Sequence, residues 1–270
     1  MTESLKVLQL NTLHTDQHKR YNVIADAIKH ADPHFGMLQE VNDHERMVEL
    51  LDEAGYPYTV VQVDVAGNGD GSSAMLFSKT ELFEPKLPAV VLPRKLGRTV
   101  AAVTEVSGVK ILLISSHSPW GGNTEGARLK HAEVIERLAE RVAYAEGTEL
   151  TILGADLNAE PDYRSMRYLL GRDLASDGES STLWTDAWTM AGSSANEITI
   201  SASANELAAD IARRGGAVDP HAVPDRRIDY LLTRGWNYGR RGGFLSFERL
   251  THPEWLEISD HYGLVAHVQL

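Results

Sequence analysis

Short apolar runs of strand length recur from one end of the chain to the other without alternating strictly with helices, and that irregular succession is the strongest constraint on the fold. Residues 5–10 alternate apolar and polar side chains with period two, as a half-buried strand does. Residues 35–38 read as a buried strand ending at Gln39-Glu40. Four more strand-like runs follow, over 58–65, 73–77, 100–106 and 110–115, separated by Gly, Pro and charged turns in a manner that suits antiparallel pairing. Further strands are expected at 150–154, 227–233, 243–249 and 262–268. Helical spacing appears at about 17–30, where Tyr21, Ile24, Ala25 and Ile28 share a face and Asp32-Pro33 is the stop. It returns at 126–145, with Leu129, Ala132, Ile135, Leu138 and Val142 on the core side, and at 162–170.

Strands and helices mixed in this way predict an α+β fold, a four-layer α/β-sandwich of two packed mixed sheets flanked by helices. No repeat or low-complexity linker marks a boundary, so residues 1–270 are expected to form a single domain. The stretch at about 189–224 stands apart. It is rich in Ala, Ser, Gly and Asn, with one short candidate helix over 205–214, and reads equally as a substrate-facing element or a tolerated surface insertion.

Composition narrows the chemistry. The 270 residues are 43% hydrophobic and 24% charged, which is ordinary for a globular protein with one large core. Cysteine is absent, so disulfides, thiolate metal sites and a cysteine nucleophile are excluded. Any metal must be held by carboxylate, amide oxygen or imidazole, a donor set suited to hard cations such as Mg2+ or Mn2+. No basic, apolar leader and no membrane-length apolar run is visible, and a cytoplasmic location is the default expectation. The formal net charge is -12, against the basic face expected of a protein that grips long nucleic acid by its backbone. The compact basic clusters are Arg213-Arg214, Arg226-Arg227 and Arg240-Arg241, each able to serve a single phosphate or simply to lie in solvent.

Polar residues then recur where strands end. Asn11 closes the first strand, Gln39 and Glu40 the second; His117 follows an apolar run, as do Asp156 and Asn158, and Asp229 sits inside Arg226-Arg227-Ile228-Asp229-Tyr230. Asp260-His261 stands just before the last strand. Each alone has a plain explanation: Asn11 and Asn158 as turn residues, Glu40 as the start of an acidic helix, Asp229 as a buried acid paired with Arg227. An acid within an apolar strand is costly unless paired, which makes Asp229 the hardest to dismiss.

Six short motifs in this order, Leu8-Gln9-Leu10-Asn11, Leu38-Gln39-Glu40-Val41, Ser115-Ser116-His117, Gly154-Ala155-Asp156-Leu157-Asn158, Arg227-Ile228-Asp229-Tyr230 and Ser259-Asp260-His261, resemble those of the endonuclease/exonuclease/phosphatase superfamily, the deoxyribonuclease I-like fold. The resemblance implies a divalent-metal-dependent phosphoesterase. Glu40 would be the principal metal ligand, assisted by Asn11 and Asp260. Asp156 would orient and deprotonate the attacking water, and Asn158 and His117 would hold phosphoryl oxygens. His261 would face the scissile phosphate, oriented by Asp229 as a buried carboxylate orients a catalytic histidine.

The chain departs from the family pattern at Leu10, where an aromatic is usual, and at Ala155, which separates Gly154 from Asp156. His14 and His18 have no family role and read as surface or pocket-rim residues. Tyr262-Gly263-Leu264 is similar to the sphingomyelinase and tyrosyl-DNA phosphodiesterase branches, while Ser118-Pro119-Trp120-Gly121-Gly122 and Arg128 resemble bacterial members. Trp120 and Arg128 are therefore candidates for substrate binding. The acidic charge favours a small, terminal or lipid-like phosphoester, with a DNA nuclease or repair phosphodiesterase as the alternative and a non-catalytic binding module of the same fold as the third reading.

Overall fold

The computed structural model describes residues 4–62, 73–83, 98–121, 123–235, 241–251 and 258–270. Eleven strands are present among them. One sheet has the order β10-β11-β1-β2-β4-β3 and the other β5-β6-β7-β9-β8. The first is built from β1 (Ser4–Asn11), β2 (Phe35–Val41), β3 (Tyr58–Gln62), β4 (Ser73–Ser78), β10 (Phe244–Arg249) and β11 (Leu264–Gln269). The second comprises β5 (Arg98–Val106), β6 (Val109–His117), β7 (Leu150–Asp156), β8 (Thr185–Asp186) and β9 (Asp229–Gly235). Both are mixed: β1 runs parallel to β2 and β6 parallel to β7, while the remaining pairs are antiparallel.

Period-two alternation explains how the layers stack. Leu5 and Val7 of β1, Phe35 and Met37 of β2, Ile111 and Leu113 of β6, and Leu150 and Ile152 of β7 all enter one buried cluster between the sheets. Their neighbours point outward. Leu8, Leu10 and Leu38 pack under α1 (Tyr21–Ala31) and α2 (His44–Glu53), whereas Leu112, Ile114 and Leu153 pack under α3 (Glu125–Glu146) and α4 (Arg164–Leu169). Helix, sheet, sheet and helix form the four layers of the expected α+β sandwich.

Local departures have local causes. The helical stretch expected over 17–30 is broken: a 3-10 turn over Gln17–Lys19 precedes α1, whose end is set by Asp32 in the left-handed conformation. Glu40 is the penultimate residue of β2 instead of the start of a helix, and α2 begins after Asp43, whose carboxylate caps the Arg46 N–H. The strand expected over 58–65 is described as far as Gln62. Within 189–224 lie the end of α5 (Ala187–Ala191) and all of α6 (Glu206–Arg214), the latter capped by Asn205. This segment is stitched to the sheet ends. Thr199 Oγ1 accepts from the N–H groups of Ile228 and Asp229, Ile200 bridges His261, and Asn205 Nδ2 donates to Ser259 O.

Candidate active site

The inward-facing series on each strand changes from apolar to polar near one rim of the sandwich. On β1 it runs Leu5, Val7, Gln9, Asn11; on β6 Ile111, Leu113, Ser115, His117; on β7 Leu150, Ile152, Gly154, Asp156. Register completes the gathering. Asp156 is paired with His117 on one side and with Asp229 on the other. The two sheets are joined there by side-chain bonds: Asn11 Nδ2 donates to Asp156 Oδ2 (2.9 Å), Gln9 Nε2 to Asp229 Oδ1 (2.9 Å) and Gln39 Nε2 to Ser115 Oγ (2.9 Å). Gly154 permits this approach, since a Cβ there would lie 2.8 Å from Met37 Cβ of the opposite sheet.

Glu40 has the wrong parity for this rim and reaches it by a backbone device. The β2–β4 pairing shifts register between Leu38 and Val41, and Glu40 itself has φ 58°. The left-handed conformation is unfavourable for a β-substituted residue, and such strain is a common mark of functional positions. Glu40 Oε1 then accepts from Asn11 Nδ2 (3.1 Å) and lies 3.7 Å from His117 Nε2. Burial acts to raise the Glu40 pKa, but hydrogen bonds from His14 and the charge of His117 outweigh it and hold the carboxyl well below its usual range. Asn158, with φ 50°, is a second left-handed residue; its N–H donates to Asp156 Oδ1 (2.9 Å) and its Nδ2 to Ser118 O (3.2 Å).

His261 Nδ1 lies 2.8 Å from Asp229 Oδ2, which fixes the proton on Nδ1 and turns Nε2 toward Asp156 Oδ2, 4.0 Å away. Burial would lower its pKa, yet Asp229 and Asp260 raise it well above the ordinary value. Arg227 does not pair with Asp229. It binds Asp186, with its guanidinium 4.6 Å and 4.8 Å from the Trp188 and Tyr230 ring centres. Asp156 is pushed up by burial and by Asp229, against the opposing pull of His261 and His117. Asp260 is also raised by burial; its Oδ2 is 3.9 Å from His261 Nε2 and it lines the same cleft as Glu40.

The cleft above these groups measures about 580 Å³ and is walled by Leu13, His14, Arg98, Pro119, Trp120 and Ile211. Trp120, 77% exposed, stands on its lip. Arg128 does not line it. That side chain is 3% exposed and donates to Pro119 O, Gly121 O and Thr124 Oγ1, so it braces the loop carrying Trp120 instead of meeting substrate. The basic clusters are likewise engaged elsewhere: Arg213 and Arg214 with Asp210, Arg226 with Glu160, Arg241 with Glu149. Arg240 lies outside the described residues.

The donors fit a hard divalent cation. Ligand atoms of Glu40, His117 and Asp156 lie within 4.8 Å of one another, as do those of Asp156, Asp229 and His261, an oxygen-rich set with no sulfur. Asn11 presents its NH2 to both carboxylates, while its carbonyl oxygen accepts from the Leu13 N–H.

Several residues of this rim carry no role in the sequence reading. Gln9, Gln39 and Ser115 belong to the inward series and bridge the sheets, a signal present in the strand parity. His14, read from the sequence as a surface or pocket-rim residue, lines the cleft, and its backbone N–H and Nδ1 both meet Glu40 Oε2, at 3.1 and 2.6 Å. Arg20 is buried and donates to Thr12 O, Leu13 O, Thr15 O and Ile258 O, tying the loop after β1 to the Ser259-Asp260-His261 segment.

Fold and site together define a hydrolase of phosphoester bonds that works with a divalent metal. The chain belongs to the endonuclease/exonuclease/phosphatase family, whose model matches residues 8–261. Among solved structures it is similar to an endonuclease/exonuclease/phosphatase protein of Bacteroides vulgatus (16% identity, 99% of each chain covered, TM-score 0.69). It is also similar to the human Nocturnin catalytic domain with bound sulfate (17% identity, 100% of this chain and 95% of that one, TM-score 0.68). D. rerio TDP2 complexed with a single-strand DNA product aligns over 99% of this chain and 100% of its own, with 16% identity and TM-score 0.68. No curated protein matches the sequence. Among the described residues no helix is long and apolar enough to cross a membrane.

Proposed function

We propose that this chain hydrolyses a small, terminal or lipid-like phosphoester by attack of a water that Asp156 orients and deprotonates, with Mg2+ or Mn2+ held at Glu40 and Asp260. The observation that carries the reading is the setting of Asp156. It is buried, its two oxygens are aimed by Asn11 and Asn158, and two imidazoles stand within 4.0 Å of it. A bound cation supplies Lewis-acid polarisation and charge neutralisation. The residues supply the rest. The water oxygen bonds phosphorus, its proton passes to Asp156, the P–O ester bond breaks and the leaving oxygen takes a proton from solvent. His261, charged and fixed by Asp229, donates from Nε2 to a phosphoryl oxygen. His117 and Asn158 donate to the others, and each such donor stabilises the charge that grows there.

The cleft supports the substrate class. Its apolar patch of Leu13, Pro119, Trp120 and Ile211 suits a compact planar or apolar leaving group. A net charge of -12, with the described arginine pairs bound to acids, disfavours a long polyanion. Hydrolysis of DNA ends is the second reading, favoured by the likeness to TDP2 with its DNA product.

Purified protein with Mg2+ or Mn2+ should be assayed against bis-p-nitrophenyl phosphate, sphingomyelin, single-stranded DNA and abasic duplex DNA. Turnover of the small or lipid substrate, lost in Asp156→Ala and His261→Ala, is the expected result. Preference for the DNA substrates would establish the second reading, and undiminished turnover by either variant would overturn the residue roles.

A further inference from the structure

Glu40 divides its two oxygens between different neighbours. Oε1 faces the interior of the site, near Asn11 Nδ2 (3.1 Å) and His117 Nε2 (3.7 Å). Oε2 faces the other way and is held twice by one residue, by the His14 backbone N–H (3.1 Å) and the His14 ring Nδ1 (2.6 Å). Both groups that reach Oε2 thus belong to one residue. His14 lines the cleft beside Glu40. The loop bearing it is stiffened on both flanks: Leu13 N–H donates to Asn11 Oδ1, and the buried Arg20 clamps Leu13 O and Thr15 O.

We propose that His14 is a positioning residue that locks Glu40 as a one-oxygen ligand and thereby sets which divalent cation the site takes. The inference rests on the metal-dependent reading above. With Oε2 engaged, only Oε1 is offered to a cation. Mg2+ and Mn2+ prefer regular octahedral shells, whereas Ca2+ readily takes both oxygens of one carboxylate in a larger and looser shell. A donor that occupies the second oxygen therefore discriminates against the larger ion. It also orients the first, and loss of such an outer partner commonly costs 10- to 100-fold in metal affinity. The other contacts of Glu40 do not duplicate this, since none of the described side chains besides His14 binds Oε2.

Binding of Mg2+, Mn2+ and Ca2+ to the wild type, His14→Ala and His14→Gln, measured by calorimetry without substrate, tests the proposal. His14→Ala should weaken Mg2+ and Mn2+ by about tenfold or more while leaving Ca2+ equal or tighter, so that the Mg2+/Ca2+ preference shifts at least about tenfold. His14→Gln retains a donor and should restore most of that preference. Thermal melts without metal check that each variant is folded at the assay temperature; His14→Ala should melt lower than the wild type, because the Glu40 carboxylate loses its ring hydrogen bond. Equal weakening of all three ions, or no change, would overturn the role of His14 while leaving the phosphoesterase reading intact. A wild type that binds no divalent ion would overturn both.

Discussion

Asp229 serves two partners with its two oxygens, His261 Nδ1 at Oδ2 and Gln9 Nε2 at Oδ1. Asp229→Asn keeps the shape and removes the charge, so the ring loses the partner that fixes its tautomer. We expect kcat to fall by roughly 10²–10⁴ with little change in KM, read from steady-state kinetics on whichever substrate proves active. A kcat within twofold of the wild type would show that His261 does not depend on this carboxylate. Two neighbouring residues separate binding from bracing. Trp120→Ala should raise KM and leave unfolding unchanged, since the indole is exposed on the cleft lip. Arg128→Ala should lower stability by about 1–3 kcal/mol in urea titration, because it removes a buried side chain that ties Pro119 O, Gly121 O and Thr124 Oγ1 together. The motif residues could be named from the sequence because each ends an apolar run. Of their partners, the Asp229–His261 pair was implied by the family resemblance alone, since nothing in the local sequence prefers a histidine 32 positions away to Arg227, two positions before Asp229.

At the scale of the element, strand parity explains why these residues meet. Each inward-facing series leaves the core at the same rim, and there apolar side chains give way to amides, hydroxyls and acids. Closeness of the sheets is then decisive, and Gly154 controls it. Gly154→Ala would drive a methyl into Met37, which lies 2.8 Å from the Cβ position, beneath the bond from Gln39 Nε2 to Gly154 O. Overpacking of this kind costs about 1–3 kcal/mol, and it should appear as a lower urea midpoint with the m-value preserved. An unchanged midpoint would mean the sheets tolerate a wider gap. The alternation along 5–10 and the long helical face over 126–145 were legible because their periods are regular. The break after Gln17–Lys19 and the left-handed turn at Glu40 were not, since both depend on packing and pairing with distant strands.

At the scale of the whole molecule, burial of a base makes stability depend on pH. His131 of α3 is surrounded by Thr99 Oγ1 (3.0 Å), Ser116 Oγ (3.2 Å) and Ser118 Oγ (2.7 Å). Burial, with the charge of His117 adding to it, pushes its pKa down to about 3. The unfolded chain takes up this proton below about pH 6.5, the folded chain only near 3. The contribution of neutral His131 to stability is therefore complete above about pH 6.5 and lost progressively below it. By about pH 5 the loss is about 2 kcal/mol. His131→Gln should shrink the stability difference between pH 7 and pH 5 by about that amount in urea unfolding. An identical difference in the variant would show that His131 is not the group responsible.

The sequence by itself determined the periods, hence the strands, the helices and the layers. It also determined which residues close the strands, because hydrophobic periodicity and strand-end polarity are local properties of the chain, and the order of the six motifs carries the family resemblance that implies metal-dependent phosphoester chemistry. Only the tertiary structure decided who else touches whom: His14 against Glu40, Gln9 against Asp229, Arg128 against its own loop. Those choices rest on sheet register, on backbone strain at single residues and on the distance between two sheets, which arise only when segments far apart in the chain compete for the same space.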